Sequence, residues 1–151
     1  MATCLRISES VALAFHTMSV LAEASSKTMI SNQEIAEQLH VSVHHLAKVH
    51  QRLVRAGILQ AVRGPKGGFR LARPAVEITL MAIVEAIDGW SEPDQCLLGR
   101  PGCAKANCVL GAFSAQINRL MYEFLVGTTV ADLGRQAPMI PTTLTSLPVI
   151  P

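Results

Sequence analysis

A mainly α-helical fold with a single β-hairpin is what this sequence predicts, and three observations carry the prediction. Apolar residues recur at three- and four-residue spacing through most of the chain. A short helical pattern, a tight turn and a second, capped helical pattern occupy 31–56, the arrangement of a helix-turn-helix. Two strand-like runs joined by a glycine-rich basic tip follow directly, over 58–72, where a hairpin is a wing. The expected organisation is a winged helix-turn-helix domain over 1–75, a cysteine loop and long dimerisation helix over 76–135, and a disordered tail over 136–151. With 151 residues, half of them apolar and 16% charged, the chain has room for one domain plus an appendage and is not disordered throughout. The apolar stretch at 11–24 is interrupted by His16, Thr17, Ser19 and Glu23, which rules it out as a bilayer span. No signal-peptide pattern is apparent, so a cytoplasmic protein without membrane contact is expected.

Taken in order, Val11, Ala14, Phe15, Met18, Leu21 and Ala22 define a first helix over 8–24, and Ser25-Ser26-Lys27 breaks it. Ser31-Asn32-Gln33-Glu34 has the form of a capping box, with Ser31 as N-cap. The short helix it opens turns Ile35, Ala36 and Leu39 inward. After His40-Val41, Ser42 caps a third helix running to Ala56, and Gly57 ends it as a left-handed C-terminal residue. Ile58-Leu59-Gln60-Ala61-Val62 and Phe69-Arg70-Leu71-Ala72 are the hairpin strands. The tip between them, Arg63 to Gly68, lacks the Gly-Lys-Ser/Thr lead into a helix that a nucleotide phosphate loop requires.

The third helix sorts its residues by angle. At about 100° per residue, Leu46, Val49, Leu53 and Val54 share one side, while His44, His45, Lys48, Gln51, Arg52 and Arg55 share the other. No acid lies between Glu37 and Glu77, and the balance is +5 over 1–74 against −3 over 75–151. A surface helix ordinarily interleaves acids with its bases; this one does not, which favours a polyanion, double-stranded DNA, as its partner. The candidate contacts are Ser42, His44, His45, Lys48, Gln51, Arg52 and Arg55 on the helix and Arg63, Lys66 and Gly67 on the wing. His44, His45, Lys48 and Gln51 are expected near base edges. Arg52, Arg55, Arg63 and Lys66 are expected on phosphates, with the wing glycines letting backbone N–H groups approach them.

A short helix over 78–87 follows, with Thr79 as N-cap, and then a Gly/Pro-rich loop over 89–107. The long helix over 108–126 alternates Leu110, Phe113, Ile117, Leu120 and Phe124 by three and four residues, a coiled-coil-like seam. The first 75 residues already bury their own apolar faces, so a two-fold pairing with a second copy is the economical cover for this seam, giving a homodimer. Thr129-Val130-Ala131-Asp132 starts one more helix.

Cys96, Cys103 and Cys108 form a Cys-x6-Cys-x4-Cys pattern in the Gly/Pro loop; Cys4 stands apart. Thiolates suit iron–sulfur clusters, zinc or copper(I). Structural zinc usually adds a second close ligand pair, whereas three cysteines on a loose loop suit a larger cluster with its fourth ligand elsewhere.

The chain resembles the Rrf2 family of bacterial winged-helix regulators, which includes iron–sulfur and nitric-oxide sensors. The resemblance runs over about residues 5–135. It rests on Leu5-Arg6-Ile7-Ser8, Ile35-Ala36-Glu37 through Leu46-Ala47-Lys48, Leu53 to Leu59, Arg63 to Leu71, Ile78-Thr79-Leu80, Ala86-Ile87-Asp88-Gly89, the three cysteines and Thr128 to Leu133. It implies a homodimeric transcription factor, not an enzyme, whose cluster state governs promoter binding. By position Cys96, Cys103 and Cys108 match the family's cluster ligands, although their spacing is less even than is common there. At the places where members carry a fourth ligand, Ala12 and Gly111 replace the acid and the histidine, while His16 matches a first-helix histidine ligand. The resemblance thus implies a 2Fe-2S or 4Fe-4S cluster on Cys96, Cys103, Cys108 and His16. Two alternatives remain: a metal-free regulator sensing oxidants through a disulfide, and a thiol-redox or electron-transfer protein, for which no Cys-x-x-Cys motif is present.

Overall fold

A computed structural model describes residues 7–24, 28–64, 66–90 and 108–134. The elements in chain order are α1 (Glu9–Glu23), α2 (Asn32–Leu39), α3 (Val43–Arg55), β1 (Leu59–Val62), β2 (Gly68–Leu71), a 3-10 turn (Ala75–Glu77), α4 (Leu80–Ile87), α5 (Val109–Gly127) and α6 (Val130–Gly134). The fold is mainly helical with a two-stranded wing, as the sequence predicts.

The helix starts are written in the capping residues. Ser8 accepts the Val11 N–H at the head of α1. Ser31 and Glu34 form a complete capping box on α2, and the hydrogen bonds from Ser31 hold the Glu34 carboxyl below its ordinary range. Ser42 caps α3 and Thr79 caps α4. The turn between α2 and α3 has His40 in the left-handed conformation, its amide donating back to the last turn of α2. Gly57 ends α3 at φ 67°.

One core serves these elements. Met18 of α1, Ile35 of α2, Leu46 and Leu53 of α3, Ile58, Ile78 and Ile83 are fully buried together, and Leu125 of α5 and Val130 of α6 join them. The carboxyl-terminal segment therefore returns to the first helix: Gly134 lies close against Ala22, and the Ser19 hydroxyl donates to the Leu133 carbonyl at 3.4 Å.

Several expected boundaries shift for hydrogen-bonding reasons. Residues 78 and 79 do not open α4; Thr79 pairs with Thr129 in an isolated bridge, while Val130 donates to the Ile78 carbonyl and Leu80 to that of Thr128. The wing gains a third edge that the sequence did not announce. Ile30 exchanges both backbone hydrogen bonds with Phe69, at 3.1 and 2.8 Å. Gly68 permits that approach, since a Cβ there would overlap the Ile30 carbonyl. The Gly/Pro loop is described only to Trp90, and the expected tail at 136–151, Cys4, Cys96 and Cys103 lie outside the described residues.

Candidate nucleic-acid interface

Helix α3 sits with Leu46, Val49, His50 and Leu53 in the core. Ser42, His44, Lys48, Gln51, Arg52 and Arg55 are exposed, and His45 is half-buried with its Nδ1 3.7 Å from the Glu9 carboxylate. Asn32, the first residue of α2, donates to the Val43 carbonyl at 3.0 Å, which ties the two helices of the motif at their amino-terminal ends. The outward face of α3 therefore combines permanent positive charge with hydrogen-bonding side chains, the chemistry needed to meet phosphates and base edges.

Two side chains of α3 make contacts that the sorting of its two faces did not include. His50 is fully buried; its Nε2 lies 3.2 Å from the Thr17 hydroxyl of α1, and its ring packs at 4.5 Å on Phe69 of β2. Burial lowers its pKa to about 4, so it adds nothing to the basic field in which it lies by sequence. The signal was available: position 50 is four residues after Leu46 and three before Leu53, on the inward side. Arg52 donates from Nη1 to the Ile87 carbonyl of α4 at 2.8 Å. No short-range pattern points to that contact, because it joins residues 35 apart.

On the wing, Arg63 and Lys66 are exposed at the tip. Gly67 donates its N–H to the Gly64 carbonyl at 2.9 Å, and a Cβ on it would overlap the Val62 carbonyl. Turn geometry thus dictates glycine here, and its amide is already used within the turn. Arg70 reaches across the strands to Gln60 at 2.8 Å.

Cys108 is the one cysteine of the expected cluster set within the described residues. It caps α5, its Sγ accepting the Gly111 N–H at 3.4 Å, and it forms no disulfide. His16 is exposed on α1. Among the described residues no group of three potential metal ligands converges. Along α5 the expected seam splits. Leu110, Phe113 and Leu120 are exposed at 59%, 56% and 39%, whereas Phe124 lies against the core beside the buried Leu125; Ile117 is intermediate.

A helix-turn-helix with an acid-free outer helix, followed by a basic hairpin, defines a winged-helix DNA-binding protein. The chain belongs to the Rrf2 family, described as an iron-dependent transcriptional regulator, whose sequence profile matches residues 7–136. It is a DNA-binding transcriptional regulator of that family and not an enzyme. It is 38% identical to Protein aau3 of Rhizobium meliloti over 71% of each chain. It is 30% identical to the HTH-type transcriptional regulator IscR of Cereibacter sphaeroides, over 80% of this chain and 83% of that one. Among solved structures, the oxidized form of Staphylococcus aureus CymR matches with a TM-score of 0.70 at 26% identity, over 88% of this chain and 98% of that one. No helix among the described residues is long and apolar enough to cross a membrane.

Proposed function

We propose that this regulator works in the cytoplasm as a homodimer on near-palindromic DNA and senses iron–sulfur, redox or nitric-oxide status through a cluster held by Cys96, Cys103, Cys108 and His16. Residues 1–75 carry DNA recognition in this reading, and 76–135 carry sensing and pairing. The observation that supports it best is the position of Cys108: its sulfur caps the helix whose outward residues form the apolar seam. A ligand there is joined directly to the pairing element. The sulfur already accepts an amide N–H, the kind of hydrogen bond that tunes cluster sulfurs, so the donor fits the group. The cluster would supply a centre that reacts with oxidants and nitric oxide. The chain's own part is to hold it with soft sulfur ligands and to fix the start of α5. Pairing along Leu110, Phe113, Ile117 and Leu120 would set two copies of α3 about 34 Å apart, one turn of duplex. On each copy Ser42, His44, His45, Lys48 and Gln51 would meet bases, while Arg55, Arg63 and Lys66 meet phosphates.

The test is anaerobic purification with visible spectroscopy and iron and sulfide analysis. A brown protein is expected, colourless after Cys96→Ser, Cys103→Ser or Cys108→Ser and unaffected by Cys4→Ala, with His16→Ala shifting the spectrum. Matched cluster-loaded and cluster-free samples should differ in operator affinity; about tenfold requires only about 1.4 kcal/mol of differential binding. Equal affinities would leave the cysteines without a regulatory part. The relative solved in an oxidized form favours a second reading, in which Cys96, Cys103 and Cys108 act as metal-free thiols. That reading gains if the anaerobic protein is colourless and operator affinity changes on thiol oxidation and recovers on reduction.

A further inference from the structure

Helix α4 ends at Ile87 with no basic residue in its own last turn. The closing carbonyls of a helix lack intrahelical donors and carry the negative end of its dipole, so a cation there is favourable. In this protein the cation comes from another helix. Arg52 of α3 donates Nη1 to the Ile87 carbonyl at 2.8 Å, while Leu53, beside it on α3, packs with Ile83 and Ile87 in the shared core. His44, Lys48 and Arg52 follow one another at four-residue intervals and so form one ridge of α3. Fixing Arg52 fixes that ridge, and with it the rotation of α3 about its own axis.

We propose that Arg52 is a positioning residue for DNA recognition: its guanidinium straps the recognition helix to the last turn of α4 and aims His44, Lys48 and Gln51 at base edges, in place of holding a phosphate. This rests on the reading of α3 and the wing as the DNA-contacting surface. A phosphate ligand contributes equally to any duplex and releases counterions, whereas an aiming residue contributes mainly where bases must be read and leaves the counterion count alone.

The experiment uses the full-length protein and a duplex enriched from a random pool by the wild type, with a scrambled duplex of the same length as reference. Affinities are measured by fluorescence anisotropy across a salt series for wild type, Arg52→Met, Arg52→Lys, Arg55→Ala and Lys66→Ala, with thermal unfolding of each. Arg52→Met should weaken the enriched duplex about tenfold and the scrambled one by less than about twofold, with the salt slope unchanged. Arg52→Lys, which keeps a donor of similar reach, should recover most of the loss. Arg55→Ala and Lys66→Ala, which each remove a phosphate contact, should each lower the slope by about 0.9. A slope lowered by that amount in Arg52→Met would make Arg52 a phosphate ligand and overturn the proposal. So would equal losses on both duplexes, or a lower melting temperature with discrimination intact, which marks a merely stabilising contact. If Arg55→Ala and Lys66→Ala both leave the slope untouched, the DNA-contacting surface itself is misassigned and the proposal falls with it.

Discussion

Helices α3 and α5 are both amphipathic, and they face outward with opposite chemistry. Helix α3 hides Leu46, Val49 and Leu53 and exposes histidine, lysine, glutamine and arginine. Helix α5 does the reverse over its first turns: Val109, Leu110 and Phe113 stand 80%, 59% and 56% exposed, while Ser114 and Asn118 are buried and hydrogen-bonded to each other at 3.4 Å. Water and a polyanion are both acceptable company for the outer face of α3. The outer face of α5 is apolar, and burial of such side chains gives about 25 cal/mol per Å² removed from water. The outward face of a helix thus names the kind of partner it needs, and these two name different ones.

The comparison breaks most visibly on α5. Phe113→Glu changes a residue exposed in the single chain, so the monomer's own core is untouched. The variant should run as a monomer in light scattering and bind operator about a hundredfold more weakly, because linked half-site binding is lost. A dimer that persists would remove α5 from the interface.

The next effect lies on the inward face of α3. An unfolded histidine takes up a proton near pH 6.5, whereas His50 in the fold does so only near 4. Between those values the unfolded state binds more protons, so stability is full above pH 6.5 and declines as the pH falls toward 4, by about 3 kcal/mol over the window. Urea midpoints at pH 7 and pH 5 should separate wild type from His50→Phe, with the variant losing less. Parallel losses would mean that this imidazole is not the group taking up the proton.

The smallest effect compares single cations. Lys66→Ala on the wing should weaken operator binding a few-fold and lower the salt slope by about 0.9. Arg119→Ala on α5, where the guanidinium pairs with Glu123 at 2.9 Å, should leave both unchanged. Equal responses would erase the distinction between a DNA-facing and a self-facing surface.

Local chemistry made much of this legible in advance. Ser31, Ser42 and Thr79 each cap the helix the sequence assigns to them, since a cap needs only a partner three residues away. The exposed basic ridge of α3 follows from angle alone. What escaped were contacts between residues distant in the chain. Ile30 joins the wing through backbone atoms, whose pairing leaves no mark in side-chain periodicity. The Thr17–His50 and Arg52–Ile87 bonds depend on how helices cross, which no window along the chain contains. Gly67 was legible as a turn residue, yet its reason proved to be the adjacent Val62 carbonyl.

The ring contact between Trp90 and Tyr122 has an optical consequence. The chain has one tryptophan and one tyrosine, and their centroids lie 5.9 Å apart, where the chain leaves α4 and meets α5. At that spacing the phenol passes its excitation to the indole, so the near-ultraviolet emission of the whole protein comes from a single address. That address is three residues beyond the carbonyl held by Arg52 and six before Cys96 in the sequence. An iron-containing chromophore, an oxidised thiol pair or a rearranged end of α4 would each alter one emission band with no other tryptophan to dilute it. The protein is in effect already labelled, at the junction between the helix that Arg52 grips and the segment that carries the cysteines.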